Sequence, residues 1–183
     1  LSLFAFSTEN WKRPEEEVSS LMNLFMTYLQ KEVDSMNDNG VRLKVVGDTS
    51  RFSPALQDLI DRAEATTAHN QAITLTVCAN YGGRWDMVQA AQVWQKAHPG
   101  QSLQDMTEEA LAGHLSTAYA PEVDLLIRTG GESRISNFML WQAAYAELYY
   151  TDDLWPDFTP KRMAKAIEWF QQRDRRFGSS APV

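Results

Sequence analysis

Short apolar runs alternate along this chain with longer stretches in which apolar residues recur every three or four positions. The short runs predict strands at residues 1–6, 41–48 (with an exit loop), 73–79 and 123–127. The periodic stretches predict helices at residues 14–38, 54–68, 107–115 and 160–172, and one more that ends near residue 98. Because strands alternate with helices, we expect an α/β fold with a mostly parallel central sheet flanked by helices. We expect a single domain over residues 1–183, with a disordered tail at residues 179–183.

The first predicted helix carries a wider apolar face than an ordinary surface helix. Leu24, Met26 and Tyr28 extend the apolar arc to roughly 200°, at about 100° per residue. A lipid tunnel, a subunit contact, or burial of the helix between two parts of the core would each explain this face. The sequence leaves these three interpretations open.

The loop after the fourth predicted strand concentrates groups that bind anions. Residues 128–137 read Arg-Thr-Gly-Gly-Glu-Ser-Arg-Ile-Ser-Asn. Arginine presents a rigid fork of donors to phosphate oxygens, and adjacent glycines let backbone N–H groups approach an anion closely. At the carboxyl end of a parallel strand this combination predicts an oxyanion or diphosphate site, and the polar loops after residues 6, 79 and 127 are expected at one sheet edge. The alternative is a surface turn with two solvated arginines.

The composition excludes several classes of protein. Hydrophobic residues make up 44% and charged residues 22% of the chain, as in ordinary globular domains. A net charge of −7 argues against a nucleic-acid binder that relies on a broad basic surface. No apolar run reaches the roughly 18 residues that span a bilayer, and no signal peptide is visible. The single cysteine, Cys78, lies within a predicted strand, which indicates a buried small hydrophobe and a reducing cytoplasm.

Five motifs lie in order along nearly the whole chain. They occupy residues 6–14, 80–84, 128–132, 134–138 and 141–147, and a basic tail follows at residues 175–178. Their sequences include Phe-Ser-Thr-Glu-Asn-Trp-Lys-Arg-Pro, Asn-Tyr-Gly-Gly-Arg and Arg-Ile-Ser-Asn-Phe. Together they resemble the cis-prenyltransferase (isoprenyl transferase) family, in particular its bacterial undecaprenyl diphosphate synthases. Five ordered motifs are far more specific than one Gly-rich loop.

The resemblance implies an enzyme that adds isopentenyl diphosphate units to farnesyl diphosphate with cis double bonds. The product would be undecaprenyl diphosphate, the lipid carrier precursor for cell-wall polysaccharide synthesis. The resemblance also implies Mg²⁺ as cofactor, a homodimer, and a cytoplasmic location with peripheral association at the membrane surface. Product growth then requires an apolar tunnel, for which the candidate wall residues are Leu3, Ala5, Leu21, Met22, Leu24, Phe25 and Tyr28.

The family's functional residues carry over to matching positions of this chain. Arg128, Arg134 and Ser136, with Ile135 between them, would hold isopentenyl diphosphate. The remaining substrate-contacting positions are Ser7, Thr8, Glu9, Trp11 and Arg13, together with Arg176 and Gly178 of the basic tail. Residues 7–14 also suit an alternative role, in which they cap the following helix.

Three further positions concern metal and proton transfer. Glu147 matches the family's Mg²⁺-associated carboxylate, and its alternative is an ion pair with an arginine at a dimer interface. Ser133 stands where some members carry a metal-associated histidine, and a serine hydroxyl is the weaker ligand. Asn10 matches the residue that the family uses as a proton acceptor. Because a carboxamide is a poor base, we expect Asn10 to orient the substrate while the leaving diphosphate or a carboxylate takes the proton.

The chain begins without methionine and inside its first predicted strand, so we expect a segment before Leu1. The family's Asp-Gly-Asn-Gly-Arg motif, whose aspartate is the principal Mg²⁺ and catalytic residue, is absent from residues 1–183. We therefore expect the chain by itself to be inactive. One alternative is a non-catalytic partner subunit of a two-subunit cis-prenyltransferase, because Arg-Phe-Gly at residues 176–178 resembles the motif of such partners. The other, a nucleotide-binding α/β module, predicts a Gly-rich or Walker loop after the first strand, and none is present in this sequence.

Overall fold

A nine-residue strand, Ile73–Tyr81, forms the middle of a three-stranded parallel sheet in the computed structural model of the protein. The structure describes residues 1–176, so Gly178 and the predicted disordered tail lie outside the described residues. The chain divides into two compact units, an N-terminal unit (Leu1–Thr117) and a C-terminal unit (Ala118–Val183). The single domain stays a prediction.

The N-terminal unit contains three strands and four helices. In chain order these are β1 (Ser2–Ser7), α1 (Glu15–Asp38), β2 (Val41–Val46), α2 (Pro54–Thr67), β3 (Ile73–Tyr81), α3 (Gly83–Ala97) and α4 (Glu108–Ala112). The strand order is β1-β3-β2, and both pairings are parallel. The prediction of a parallel sheet flanked by helices is confirmed.

The C-terminal unit contains two strands and one helix in its described part. These are β4 (Leu125–Arg128), β5 (Glu147–Tyr150) and α5 (Pro160–Gln171). Strands β4 and β5 pair in parallel and form a sheet of their own. Strand β4 begins two residues later than predicted and ends on Arg128, so this arginine belongs to the strand. Strand β5 was not predicted, because it starts on the polar Glu147 within an otherwise apolar run.

The core of the N-terminal unit lies between α1, α2 and the sheet. Leu29 of α1, Leu43 of β2 and Leu56 of α2 are almost fully buried there, which follows from their helical and alternating spacing. Leu24 and Tyr28 of α1 are 65% and 48% exposed. The interpretation of α1 as a helix buried between two parts of the core is therefore wrong for this face, and the tunnel and the subunit contact stay predictions.

Side chains of α2 close the free edge of β2. The N–H of Leu43 donates to Oγ1 of the buried Thr67 at 3.0 Å, and the N–H of Val45 donates to Oε1 of Glu64 at 2.6 Å. Thr67 donates in turn to the carbonyl oxygen of Ala63 at 2.9 Å, so the buried hydroxyl is fully used. An edge strand whose N–H groups are taken up in this way presents fewer groups to another chain.

Local signals set the ends of the helices. Ser53 caps α2 by accepting from the N–H of Leu56 at 3.3 Å, and Thr107 caps α4 by accepting from the N–H of Ala110 at 3.2 Å. Helix α4 ends at Ala112, three residues earlier than predicted, with Gly113 at its C-cap. Helix α1 begins at Glu15, because Pro14 forms its N-cap rather than its first turn. None of the helices within residues 1–176 is long and apolar enough to cross a bilayer.

Candidate active site

The segment Ser7–Arg13 leaves the carboxyl end of β1 as a short 3-10 helix over Thr8–Lys12. Oδ1 of Asn10 accepts from the N–H of Ser7 at 2.7 Å, which fixes the start of this turn. This contact caps the 3-10 helix of the segment itself. Helix α1 has Pro14 at its N-cap and no side-chain hydrogen bond there, so the predicted capping of the following helix is wrong. Because the side-chain oxygen of Asn10 already accepts this hydrogen bond from Ser7, the contact favours an orienting role over proton acceptance.

The other candidate residues of this segment differ in what holds them. Trp11 is half-buried, and its Nε1 donates to Oδ1 of Asn80 at 2.8 Å. Arg13 is exposed and pairs with Glu17 at 2.7 Å, one turn into α1. Thr8 donates to Glu9 at 3.0 Å. Trp11 is thus anchored to the sheet, whereas the Arg13 guanidinium can exchange its exposed ion pair for another anion.

Asn80 links the ends of the three strands of the sheet. It lies near the end of β3 with φ of 51°, a left-handed conformation that asparagine tolerates better than most residues. Its Nδ2 donates to the carbonyl oxygen of Asp48 at 2.6 Å, and its own carbonyl oxygen accepts from the N–H of Asp48 at 3.0 Å. Register pairs Ser7 of β1 with Tyr81 of β3, so the loops after both strands leave the same sheet edge, as expected. The loop after β4 belongs to the other sheet, and its place at this edge stays a prediction.

A buried carboxylate supports the loop after β3. Asp86 is 1% exposed and accepts from the hydroxyl of Tyr81 at 2.8 Å and from the amide of Gln89 at 2.9 Å. The hydroxyl and the N–H of Ser116 donate to the same carboxylate at 2.7 and 2.8 Å. Hydrogen bonds of this number replace the water that a buried carboxylate loses. Burial, followed by the charge of Asp86, raises the pKa of Cys78 to about 12, and the prediction that this thiol is buried is confirmed.

Arg128 is a candidate for anion binding in the C-terminal unit, and neutral groups of its own loop hold its guanidinium. Its Nη1 donates to Oγ of Ser136 at 2.8 Å and to the carbonyl oxygen of Arg134 at 2.9 Å. Ser136 and Asn137 both have positive φ, 47° and 64°, and they turn the chain so that the Ser136 hydroxyl faces Arg128. Ile135, which is half-buried, accepts from the N–H of Phe138 at 2.9 Å and closes the same turn. The loop therefore presents one guanidinium in a fixed orientation.

The two glycines of this loop do not act as expected. The N–H of Gly130 donates to the carbonyl oxygen of Asp153 at 2.8 Å, and that of Gly131 donates to the carbonyl oxygen of Thr151 at 3.0 Å. Both N–H groups are used by carbonyl oxygens of the segment that follows β5, so the prediction that they approach an anion is wrong. The glycines are needed instead for their positive φ of 85° and 73°.

Two further candidate arginines pair with acids two residues before them. Nη1 of Arg134 contacts Oε2 of Glu132, and Arg176 forms two hydrogen bonds to Oδ2 of Asp174 at 2.6 and 2.7 Å. These pairs are solvent-exposed and are therefore weak. A diphosphate with a higher charge can displace such a carboxylate, so the pairs leave both arginines eligible as ligands.

Glu147 opens β5 and lines a shallow depression together with Tyr145, Asp174, Arg175 and Arg176. Its N–H donates to the carbonyl oxygen of Asp124 at 2.9 Å. Within residues 1–176 the Glu147 carboxylate makes no ion pair, whereas Arg175 pairs with Asp124 instead. The alternative for Glu147, an ion pair with an arginine at a dimer interface, involves a second subunit and stays a prediction.

Comparisons with known proteins identify the family. A family model described as putative undecaprenyl diphosphate synthase matches residues 1–178. The chain belongs to this prenyltransferase family. An isoprenyl transferase of Ralstonia nicotianae is 56% identical over 181 residues, which cover 99% of this chain and 70% of that protein. A ditrans,polycis-undecaprenyl-diphosphate synthase of Vibrio vulnificus, named as (2E,6E)-farnesyl-diphosphate specific, is 55% identical and covers 97% and 72%.

Solved structures agree with this prenyltransferase assignment. A probable undecaprenyl diphosphate synthase from Campylobacter jejuni superposes with a TM-score of 0.89 at 36% identity, over 98% of this chain and 83% of that one. Lavandulyl diphosphate synthase from Lavandula x intermedia, solved in complex with dimethylallyl diphosphate, gives a TM-score of 0.91 at 34% identity, over 98% and 78%. Both the family and the α/β fold expected from the sequence are confirmed.

Within the prenyltransferase chain, the structure brings together some of the predicted site residues and leaves others apart. Arg128, Arg134 and Ser136 meet through the main chain and one hydroxyl. Ser133 is exposed on the same loop. Asn80 was predicted only as part of a motif, and its hydrogen bonds to Trp11 and Asp48 were not predicted. An asparagine directly after a predicted strand, two residues before Gly-Gly, was the available signal, because such a position favours left-handed backbone.

Proposed function

We propose that the natural protein that contains this chain catalyses the condensation of isopentenyl diphosphate with farnesyl diphosphate to form ditrans,polycis-undecaprenyl diphosphate. The observation that carries the proposal is the fixed guanidinium of Arg128, held by Ser136 and the Arg134 carbonyl, in a chain 55% identical to a farnesyl-diphosphate-specific synthase. The relatives are named as a transferase and a synthase, which favours an enzyme over a non-catalytic partner subunit.

The loop after β4 binds isopentenyl diphosphate in this proposal. Arg128 and Arg134 each offer forked N–H donors, and Ser136 offers a hydroxyl to the same phosphate group. The diphosphate would displace Glu132 from Arg134, which costs little because that ion pair is exposed. Arg128 keeps its orientation throughout, since its partners are neutral groups of the loop.

The segment Ser7–Arg13 binds and orients the prenyl substrate. Arg13 releases Glu17 to contact phosphate, and Asn10, held by Ser7, sets the shape of the turn. Ser7, Thr8, Glu9 and Trp11 provide the remaining contacts. In the reaction the allylic C–O bond breaks, the isopentenyl double bond forms the new C–C bond, and one proton leaves the isopentenyl unit. We assign that proton to the departing diphosphate or a carboxylate, because an amide is a poor base.

The donor set fits Mg²⁺ in part. Among residues 1–176 there is no cluster of three or more side chains able to hold a metal ion. Mg²⁺ commonly uses one or two carboxylates and completes its shell with substrate phosphates and water. The carboxylate of Glu147, which makes no ion pair within residues 1–176, suits that mode. When bound, the ion would neutralise diphosphate charge. Glu147 would hold it, with the Ser133 hydroxyl as the weaker candidate.

The remaining parts of the proposal concern assembly and location. Arg176, once released from Asp174, contacts the substrate. Gly178, two residues later, is proposed to contact the substrate as well. The protein would act as a homodimer in the cytoplasm and meet the membrane peripherally, where its long-chain product belongs. The exposed apolar residues Leu24 and Tyr28 of α1 would then contact the growing prenyl chain or the second subunit.

The decisive experiment is steady-state prenyl transfer by the complete natural protein and by Arg134→Ala. Loss of one charge-assisted phosphate contact raises the KM for isopentenyl diphosphate by roughly tenfold to a hundredfold. Arg62→Ala is the matched control, because Arg62 is an exposed arginine on α2 whose Nε donates to the Asp58 carbonyl of its own helix. An Arg134→Ala protein with unchanged KM and kcat would remove Arg134 from the site. A wild-type protein with no prenyl transfer would refute the function itself.

A further inference from the structure

The indole of Trp11 is contacted on its edge and on its faces. Its Nε1 donates to Oδ1 of Asn80 at 2.8 Å. The ring of Phe6 meets it in an edge-to-face arrangement with centroids 5.1 Å apart, and Phe52 lies 6.5 Å away. The guanidinium carbon of Arg51 lies 4.2 Å from the ring centroid, over the face of the indole. Trp11 is therefore the point at which the Ser7–Arg13 segment is attached to its own unit.

Asn80 holds its end of this attachment firmly. It is 2% exposed, and both ends of its amide are used, by Trp11 on one side and by the Asp48 carbonyl on the other. Gly47 permits this arrangement, because a Cβ built there would lie 2.0 Å from the carbonyl oxygen of Ala79. The exit of β2 thus approaches β3 closely enough for Asp48 to meet Asn80. A buried amide with both ends satisfied has one preferred orientation.

Arg51 holds the other side. It ends the short 3-10 helix Thr49–Arg51, which starts with Ser50 donating from N–H to Asp48 Oδ1 at 3.2 Å. Within residues 1–176 the Arg51 guanidinium makes no hydrogen bond or ion pair, and it lies over the indole face of Trp11. A guanidinium over the face of a tryptophan is attracted by the ring electrons. Arg51 therefore restrains Trp11 through a face of the indole and does not compete for the Asn80 amide.

We propose that Asn80 and Arg51 are positioning residues that act through Trp11 and fix the Ser7–Arg13 segment for the prenyl substrate. This inference rests on the proposed function, which gives that segment its role. Neither residue needs to touch the substrate. We call the Asn80–Trp11 hydrogen bond and the Arg51 contact with the indole the Trp11 clamp. Through these two contacts, the segments that leave β2 and β3 set the position of the turn that carries Asn10 and Arg13.

The first test is a double-mutant cycle in the complete natural protein. Arg51→Met removes the charge while it keeps an apolar stem, and Trp11→Leu removes the aromatic face. We expect Arg51→Met to raise the KM for farnesyl diphosphate by about two- to fivefold and to leave kcat within about twofold. In the Trp11→Leu background the same change should have no further effect. Arg62→Met is the matched control and should behave as wild type.

A second pair of variants separates the two contacts. Trp11→Phe removes the indole N–H but keeps an aromatic face, so Arg51→Met should still raise the KM in this background. Asn80→Gly suits the left-handed backbone and removes the amide, so its effect should shrink in the same Trp11→Phe background. Should Asn80→Gly fail to fold, Arg51→Met still tests the clamp, because Arg51 is exposed.

Hydrogen exchange gives a readout that needs no catalysis. We expect amides of residues 8–13 to exchange about two- to fivefold faster in Arg51→Met, with α3 unchanged. An Arg51→Met effect of equal size with and without Trp11 would overturn the proposal and indicate direct contact with the substrate. No effect on KM or exchange would also overturn it. A wild-type protein without prenyl transfer but with the expected exchange would refute the proposed function and leave the clamp standing.

Discussion

Arg128 donates to Ser136, eight residues later, at 2.8 Å, and this bond spans the loop that follows β4. The hydroxyl and the Arg134 carbonyl accept from the same Nη1, so one edge of the guanidinium is fixed and the other remains available. A guanidinium held by neutral partners keeps its full charge for an anion. This separates Arg128 from Arg134 and Arg176, whose charges are partly balanced by neighbouring acids.

We expect Ser136→Ala to weaken the use of isopentenyl diphosphate without loss of folding. The change removes one acceptor of Arg128 and one donor to the substrate, so the KM for isopentenyl diphosphate should rise by about tenfold. Steady-state kinetics measure the effect. Ser20→Ala is the control, because Ser20 is exposed and bonds only within α1. A KM unchanged in Ser136→Ala would show that this hydroxyl serves only the loop.

The glycines of the same loop predict a difference in stability. Gly130→Ala and Gly131→Ala place a side chain at φ of 85° and 73°, and each should lower the free energy of unfolding by about 1–2 kcal/mol. Gly131→Ala also brings Cβ within 3.3 Å of Asp152 Oδ1. Urea denaturation gives the free energies. Gly100→Ala, with open space around its Cβ and no positive φ, should be neutral, and equal losses at all three positions would contradict the conformational explanation.

Much of the fold could be predicted, because periodicity reports which side of an element is buried. The spacing of Leu29 and Leu56 places them in the core, where the structure has them. Strand β5 escaped prediction because Glu147 breaks its apolar run, and parallel pairing with β4 decides its conformation. Pairing over long sequence separations also hid the use of the Gly130 and Gly131 N–H groups. No local pattern shows that Thr151 and Asp153 will lie beside them.

The candidate site could also be predicted only in part. The anion-binding character of Arg128 and Ser136 follows from residue chemistry, whereas their bond depends on two consecutive residues with positive φ. Asn80 meets Trp11 across 69 positions of sequence, a contact that only the strand order β1-β3-β2 creates. Residue types thus predict which groups can bind, and the topology of the sheet decides which of them meet.

Cys78 predicts a loss of stability at alkaline pH. Its pKa rises from the ordinary 9.0 to about 12 in the folded protein, because burial and the nearby Asp86 charge disfavour the thiolate. The unfolded chain therefore releases the proton first, and the stabilising term is lost as pH rises from about 9 towards 12. At pH 10.5 the loss relative to neutral pH is about 2 kcal/mol.

Urea denaturation of wild type and Cys78→Ala at pH 7.5 and 10.5 isolates this term. Other groups also titrate in this range, so the quantity to compare is the drop in unfolding free energy between the two pH values. That drop should be smaller by about 2 kcal/mol in Cys78→Ala. Identical drops in both proteins would mean that the thiol ionises equally well in the folded state.

Because Leu24 on α1 is apolar and exposed, we expect that replacing it changes function while the free energy of unfolding stays nearly the same. Leu24 is 65% exposed, so Leu24→Ser should change the free energy of unfolding by less than about 0.5 kcal/mol, whereas Leu29→Ala in the core should cost about 2–5 kcal/mol. A hydroxyl in a prenyl tunnel should shorten the product, because each buried carbon of the chain contributes about 0.8 kcal/mol. Thin-layer analysis of product length measures this effect. Sedimentation velocity at the same protein concentration distinguishes the alternative: a Leu24→Ser protein with normal products and a weakened dimer would assign the face to the second subunit.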